Sequence, residues 1–139
     1  MTNQYRNKKI LITGGLGFIG SNLAIKLIGL EANVEIFDAL IDGMGGNEFN
    51  VAPVKNNLKI TIADLNDDAK ITRAVKGKDI IFNLAGTLSH VDSMENPFLD
   101  LDINCRAQLQ LLEACRKYNS AVKIVFAGTR NQYGKAQYL

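Results

Sequence analysis

The sequence is poor in the residues that carry metal sites and cross-links. Its 139 residues include two cysteines, one histidine, two prolines and no tryptophan. Cys105 and Cys115 fall in one segment of helical periodicity, where about 15 Å would separate them, so they cannot form a disulfide with each other. We expect both to be buried apolar residues. His90 has no companion Cys or His for a metal ion, so we expect a structural hydrogen-bonding role, with general acid–base catalysis as the alternative.

Long apolar runs and blocks of one charge are also missing. Lys and Arg number 16, Asp and Glu number 14, and they are interspersed, for a net charge of +2. This balance disfavours nucleic acid and anionic membranes as partners. No run is long enough to span a bilayer and no basic-then-apolar leader is present, so we expect a cytoplasmic protein. With 47% hydrophobic residues, the chain can form one globular domain with its own core.

A glycine-rich stretch between two apolar runs is the most informative feature. Gly14, Gly17 and Gly20 recur at every third residue after the apolar residues 10–12. Glycines at this spacing permit a tight strand-to-helix turn, approach of a pyrophosphate to the backbone, and close packing of helix on strand. N–H groups at the start of the helix then face the phosphates. Because Ser21 follows Gly20 with no lysine between them, the triphosphate-binding loop is excluded. A purely structural turn is the alternative.

Strand and helix patterns alternate along the chain. We predict strands at residues 8–13, 33–37, 58–62, 79–83 and 122–127. Helices are predicted at residues 18–30 and 67–75, and as one long helix ending near residue 118. The long helix begins with a capping box of Asp92 and Glu95 or at Pro97, and a short helix is predicted near residues 47–51. The alternation predicts an α/β, Rossmann-type doubly wound parallel sheet with strand order 3-2-1-4-5.

The first helix is predicted to bury one apolar side against the sheet. That side comprises Phe18, Ile19, Leu23, Leu27 and Leu30. The ligand crevice is expected at the carboxyl ends of strands one and four, where the winding of the sheet reverses.

Asp38 stands at the end of strand two, beside that crevice. Its carboxylate can accept both ribose hydroxyls of NAD, and it repels a 2′-phosphate. No Lys or Arg occurs between Lys26 and Lys55 to neutralise such a phosphate. The sequence therefore favours NAD over NADP, with a solvated loop aspartate as the alternative.

Residues after the other strands complete the predicted cofactor site. Asp64-Leu65 is predicted to hold the adenine amino group and ring face, or to cap the next helix. Leu84-Ala85-Gly86 leaves room for a ribose, or is a plain strand exit. The full set of predicted cofactor-binding residues is Gly14, Gly17, Phe18, Ile19, Gly20, Asp38, Ala39, Leu40, Asp64, Leu65, Leu84, Ala85 and Gly86.

The stretch of residues 13–21, Thr-Gly-Gly-Leu-Gly-Phe-Ile-Gly-Ser, resembles the fingerprint of extended short-chain dehydrogenases/reductases. More narrowly it resembles their NAD-dependent epimerase/dehydratase branch, which acts on nucleotide sugars. Asp38, Asp64-Leu65, residues 83–86, residues 90–93 with Pro97, and residues 126–134 match in the expected order. The resemblance implies NAD as cofactor and a nucleotide sugar as substrate of a full-length enzyme. It also implies that Thr129 is the catalytic Ser/Thr that polarises the sugar oxygen.

The chain also departs from the family pattern. The resembled enzymes carry a tyrosine and a lysine, spaced Tyr-x-x-x-Lys, on the helix after strand five, and this pair moves a proton during hydride transfer. Here that spacing occurs only from Tyr5 to Lys9, which we interpret as chance. Ala107-Gln108 stands where relatives often have Gly-Thr.

These departures define the functional expectation. We expect residues 1–139 to be an incomplete NAD-binding domain, ending before the family's later strands and sugar-binding domain and inactive alone. The alternatives are a non-catalytic NAD-sensing or protein-interaction module and, third, a bare structural remnant.

The long predicted helix has two apolar faces on a wheel of about 100° per residue. One face comprises Phe98, Leu101, Cys105, Leu109, Leu112 and Cys115. The other comprises Ile103, Ala107, Leu111, Ala114 and Tyr118. One face packs on the sheet, and the other, beside the unpaired edge of strand five, is expected to drive self-association, most simply as a homodimer. Charged substitutions of Leu111 and Ala114 are the corresponding test.

Overall fold

The computed structural model describes residues 3–87, 89–129 and 133–134. Five parallel strands form one sheet in the order β3-β2-β1-β4-β5. The strands are β1 Lys9–Thr13, β2 Asn33–Asp38, β3 Lys59–Ile62, β4 Ile80–Asn83 and β5 Lys123–Phe126. This order confirms the predicted α/β class and strand order. Right-handed crossovers explain it, because the chain first adds β2 and β3 on one side of β1 and then β4 and β5 on the other.

Helical segments connect the strands on both faces of the sheet. The α-helices are α1 Phe18–Gly29, α2 Asp68–Val75, α3 His90–Glu95, α4 Pro97–Leu101 and α5 Ala107–Tyr118. A π-helical segment, Asp102–Arg106, joins α4 to α5. A run of 3₁₀ turns, Glu48–Asn57, follows β2, and the side chain of Asn47 caps it by accepting the N–H of Phe49 at 2.8 Å. This run replaces the shorter helix predicted near residues 47–51.

Two apolar clusters hold these layers together. Successive strand residues point to opposite faces, so the almost wholly apolar strand β1 is buried on both sides. The cluster under α1 and the 3₁₀ run includes Ile10, Ile12, Ala24, Leu27, Ile36 and Val51. The cluster under α2 and α5 includes Leu11, Phe37, Ile71, Ile81, Leu111 and Ala114. Among the described residues, no helix has the length and apolar character needed to cross a membrane.

The predicted inner side of α1 is wrong at its start. Phe18 and Ile19 are exposed, while Gly20, Ser21, Ala24 and Leu27 are buried. Small residues at positions 20 and 24 let the helix lie close to the sheet. The two large residues Phe18 and Ile19 line the cleft at the carboxyl ends of the strands instead of packing in the core.

The long helix predicted up to residue 118 is interrupted twice. Pro97 starts a new helix, and the side chain of Asn96 caps it by accepting the N–H of Leu99 at 3.3 Å. Helix α3 begins at His90, so Asp92 lies inside it and is not its cap; the Asp92 side chain is outside the described residues. The Asp102–Arg106 segment then adds a wider turn, with the N–H of Ala107 bonded to the carbonyl of Asp102.

The face of the helix that packs on the sheet is the one carrying Ala107, Leu111 and Ala114. The buried residues of α5 are Ala107, Leu111, Ala114 and Cys115. The expectation that Leu111 and Ala114 are exposed is therefore wrong, and so is the expectation that Cys105 is buried. The wheel groups most of these residues correctly, because Leu101, Cys105, Leu109 and Leu112 are exposed together, but two apolar faces do not show which of them packs on the sheet. Burial raises the pKa of the Cys115 thiol to about 11, which keeps that thiol protonated.

Candidate cofactor-binding site

A cleft of about 370 Å³ opens at the carboxyl ends of the central strands. Parallel strands that all end at one edge, with the winding reversed between β1 and β4, leave such a crevice. Of the predicted cofactor-binding residues, all except Leu40 line it. Other residues lining the cleft were not predicted: Phe37, Ile41, Met44, Gly45, Gly46, Ala63, Thr87, Ile103 and Ala107. Thr129, beyond the end of β5, does not line the cleft.

The three glycines of the first turn meet different surroundings. Gly14 has φ of +65°, and a Cβ there would lie 2.8 Å from the backbone nitrogen of Ala85. A Cβ on Gly20 would lie 2.6 Å from the Cα of Gly15. A Cβ on Gly17 would meet only the carbonyl oxygen of Gly14, at 3.4 Å. The outer glycines are therefore required by backbone packing, whereas the middle one leaves the cleft side of the turn open.

The start of α1 is suited to an anion. Gly17 is its N-cap, no side chain caps its first N–H groups, and the first turn holds no acidic residue. The first residues of the helix, Phe18 to Gly20, line the cleft. N–H groups at a helix start carry partial positive charge and bind phosphates readily.

Asp38 is held by two backbone hydrogen bonds at the end of β2. Its Oδ2 accepts the N–H of Leu16 at 2.9 Å, and its Oδ1 accepts the N–H of Leu40 at 2.9 Å. A carboxylate has about four lone-pair positions, so each oxygen keeps one for a further donor. Gly46 closes over this group, because a Cβ on it would lie 3.4 Å from Oδ1. Leu40 thus helps to fix Asp38 although it does not line the cleft.

The β3 side of the cleft is formed by Ala63, Asp64 and Leu65. Asp64 is exposed and its Oδ1 accepts the N–H of Asn66 at 2.7 Å, while Leu65 is buried. The side-chain cap of α2 is Asp67, which accepts the N–H of Lys70 at 3.0 Å. This bond holds the pKa of Asp67 below its usual range. The alternative role of Asp64 as helix cap is therefore taken by Asp67.

A polar cluster closes the β4 side of the cleft. The backbone N–H of Thr87 donates to Oδ1 of Asn104 at 3.0 Å, and the Thr87 hydroxyl donates to Oδ1 of Asp100 at 2.7 Å. Asn104 also packs on Gly86, where a Cβ would lie 3.1 Å from its Oδ1. The loop after β4 is thereby anchored to the segment that spans α4 and the π turn.

The chance Tyr-x-x-x-Lys pair, Tyr5 and Lys9, lies away from the cleft. Tyr5 lines a second depression with Asp79 and Lys123, at the amino ends of the strands. Lys9 is the first residue of β1. The side chain of His90 is outside the described residues. Within the described part of the chain, no group of three or more His, Cys, Asp or Glu residues could hold a metal ion.

Comparisons with known proteins show the family of the chain and agree with its fold. A family described as GDP-mannose 4,6 dehydratase matches residues 11–139. CDP-paratose 2-epimerase of Salmonella typhi is 34% identical over 128 residues, which are 91% of this chain and 38% of that enzyme.

Two solved structures are similar in fold and sequence. UDP-N-acetylglucosamine 4-epimerase of Methanobrevibacter ruminantium, in complex with UDP-N-acetylmuramic acid, has a TM-score of 0.82 and 34% identity, covering 95% of this chain and 41% of that one. UDP-glucose 4-epimerase of Thermus thermophilus, in complex with NAD, has a TM-score of 0.76 and 34% identity, covering 87% and 37%. The chain thus spans about two-fifths of the length of these proteins.

Proposed function

Because the chain belongs to the family described as GDP-mannose 4,6 dehydratase, we propose that it is the NAD-binding part of a nucleotide-sugar epimerase or dehydratase. The observation that carries the proposal is the pairing of a fixed carboxylate, Asp38, with an uncapped helix start at Gly17 in one cleft. A carboxylate suits a ribose diol and a helix start suits a pyrophosphate, so together they fit a dinucleotide.

The two halves of the dinucleotide are proposed to lie over different strands, the adenosine half over β2 and β3 and the nicotinamide half over β4. Asp38 on β2 takes the adenosine ribose, and Asp64 after β3 lies on the adenine side. The open side of Gly17 admits the pyrophosphate. Over β4, the loop of residues 84–87 is left for the nicotinamide half. NAD, when bound, supplies an acceptor for a hydride from the sugar.

The same carboxylate selects NAD over NADP. A 2′-phosphate would meet the charge of Asp38 at short range, and the sequence offers no Lys or Arg between Lys26 and Lys55 to offset it. Repulsion between like charges in a partly buried site costs more than it does in water. NADP should therefore bind more weakly.

Sugar turnover is proposed to require more than these 139 residues. Thr129 follows β5 and is proposed to polarise the sugar oxygen in the longer enzyme. The only Tyr-x-x-x-Lys spacing, Tyr5 to Lys9, lies at the opposite edge of the sheet from the cleft. Steady NADH formation by this chain with a sugar nucleotide would contradict this part of the proposal.

Self-association completes the proposal. The side of α4 and α5 that faces away from the sheet carries Phe98, Leu101, Leu109 and Leu112, all exposed. We name these four residues the outer face, and we propose that it meets a second copy of the chain.

Calorimetric titration tests the cofactor assignment. The wild-type chain should bind NAD at least about tenfold more tightly than NADP, and Asp38→Asn should weaken NAD binding by about ten- to a hundredfold, as expected for lost hydrogen bonds to a charged group. Asp42→Asn is the matched control, since Asp42 lies in the same loop, is exposed and does not line the cleft. Equal affinity for the two nucleotides, or unchanged NAD binding by Asp38→Asn, would contradict the assignment.

A further inference from the structure

Gln108 of α5 joins three separate segments through its side-chain amide. Its Oε1 accepts Nδ2 of Asn83 at 2.6 Å. Its Nε2 donates to the carbonyl oxygen of Ala85 at 3.1 Å and to that of Ile103 at 3.0 Å. Both amide hydrogens and one acceptor position are used, so the side chain has one defined orientation. Gln108 itself does not line the cleft.

The hydrogen bonds continue from Gln108 to the glycine turn. Oδ1 of Asn83 accepts the hydroxyl of Thr13 at 2.7 Å, and both residues are buried. The Thr13 oxygen in turn accepts the N–H groups of Leu84 at 3.2 Å and Ala85 at 3.3 Å. Ala85 is thus fixed from both sides, by Thr13 at its N–H and by Gln108 at its carbonyl.

The position of Ala85 matters because the glycine turn packs directly on it. The backbone nitrogen of Ala85 is the atom that a Cβ on Gly14 would approach to 2.8 Å. A shift of Ala85 therefore changes the distance between the loop after β4 and the turn that begins α1. Both segments line the cleft.

The π-helical segment gives Gln108 its reach. The bond from Ala107 to Asp102 spans five residues instead of four, which turns the start of α5 so that Ala107 lines the cleft and Gln108 reaches Ala85. Single π turns inside helices occur frequently at functional sites. Gln108 also bonds Ile103 within that segment, so one side chain fixes both the wide turn and the loop.

We infer that Gln108 is a positioning residue for the nicotinamide half of the cofactor site, acting through Ala85 and Asn83. This role rests on the proposed function, because it requires a dinucleotide in the cleft. The adenosine half lies over β2 and β3, whereas the hydrogen bonds of Gln108 to Asn83 and Ala85 lead to the β4 side. Loss of its side chain should therefore affect the two halves unequally.

The test compares NAD with ADP, which probes the adenosine and pyrophosphate positions alone. For Gln108→Leu, calorimetry should show the Kd of NAD raised roughly five- to tenfold, the effect of one lost hydrogen bond. The Kd of ADP should stay at the wild-type value. Gln110→Leu is the matched control, because Gln110 lies on the same helix and donates to Oδ1 of Asp68 at 2.6 Å, away from the cleft. It should leave both affinities unchanged.

The outcomes separate this inference from the function on which it rests. If the wild-type chain does not bind NAD, whether or not it binds ADP, the proposed function is overturned. Wild-type NAD binding together with an unchanged Kd in Gln108→Leu, or equal losses for NAD and ADP, overturns the positioning role. If Gln108→Leu yields no folded protein, Gln108→Glu carries the same comparison. Its carboxylate still accepts from Asn83 but cannot donate to Ala85 or Ile103.

Discussion

At the scale of single residues, the three glycines of the first turn have separable roles. Gly14 and Gly20 are enclosed by backbone on the side where a Cβ would stand, whereas Gly17 faces the cleft and has space. The φ of Gly17 is −73°, which any residue can adopt. A methyl group at position 17 is thus compatible with the fold and stands where a pyrophosphate would approach.

We therefore expect Gly17→Ala to weaken NAD binding and Gly20→Ala to destabilise the fold. Gly17→Ala should change the free energy of unfolding by less than about 1 kcal/mol, since alanine is only a poorer N-cap than glycine, while the Kd of NAD rises. Gly20→Ala should lower the free energy of unfolding by about 2–3 kcal/mol through overpacking against backbone. Urea unfolding and NAD titration of both variants check this. Unchanged NAD affinity in Gly17→Ala would show that the pyrophosphate does not pass this turn.

At the scale of elements, the sheet was predictable because its signals are local. Each strand is a short apolar run, and the connection rules then leave one order for five alternating strands. Of the two starts predicted for the helix after β4, the structure has the one at Pro97, with Asn96 as its cap, and not the capping box of Asp92 and Glu95. The π turn at residues 102–106 has no such local signal. It is accompanied by hydrogen bonds of Gln108 to Ala85 and Asn83, which form only in the tertiary structure.

The cleft was predictable to the same extent. Gly14, Asp38 and Ala85 lie at or just after the carboxyl ends of strands, so topology alone brings them together. Met44 and Gly46 were missed because the path of their loop depends on distant contacts. Positive φ at Gly43 and Gly45 turns the loop back, and the N–H of Asn47 then bonds the carbonyl of Leu16 at 3.1 Å. The glycines in the sequence predict that the loop turns, but they do not predict which residues the loop then contacts.

A buried ion cluster ties β2 to its neighbours on the α2 side of the sheet. Glu35 is 5% exposed, and its Oε2 accepts a hydrogen bond from Nζ of Lys78 at 2.7 Å. Its Oε1 lies 2.9 Å from Nζ of Lys59 and accepts the Thr61 hydroxyl at 3.1 Å. Burial by itself raises the pKa of Glu35, but the hydrogen bonds and charges of Lys78 and Lys59 outweigh it and hold the pKa below 4.5.

Glu35→Gln should therefore destabilise the fold at neutral pH. The substitution leaves the largely buried ammonium of Lys78 without its carboxylate, and breaking a buried pair costs about 3–5 kcal/mol. Because Lys59 is exposed and its charge is screened by water, we expect the smaller loss of about 2–3 kcal/mol in the free energy of unfolding. Because the folded-state pKa is lowered, the stabilisation is present above the unfolded pKa and is lost as pH falls through the folded one. Urea unfolding over a descending pH series should show the two proteins differing at neutral pH and converging as the pH falls through the folded-state pKa of Glu35. A difference independent of pH would contradict the role of the charge.

At the scale of the whole molecule, one side of the domain carries exposed apolar groups that no other described element covers. Leu109 and Leu112 of the outer face are 62% and 49% exposed, in contrast to the fully buried Leu111. At the edge of the sheet, β5 pairs only with β4 among the described strands, and Val125 and Phe126 on it are exposed. Several exposed apolar side chains on one helix side and an open sheet edge are both typical of an interface.

We expect the chain to form a two-fold dimer through the outer face at micromolar concentration. In such an interface each face meets its own copy, so every substitution is felt twice. Leu109→Lys combined with Leu112→Lys should raise the dimer Kd by at least about a hundredfold, since central apolar contacts cost more than about 1 kcal/mol each when replaced. Phe49→Ser is the control, because Phe49 is 79% exposed but lies on the 3₁₀ run on the opposite side of the sheet. Sedimentation velocity should give dimers for the wild type and Phe49→Ser and monomers for the double variant. A wild-type chain that sediments as a monomer, or a double variant that still dimerises, would assign the outer face to another role.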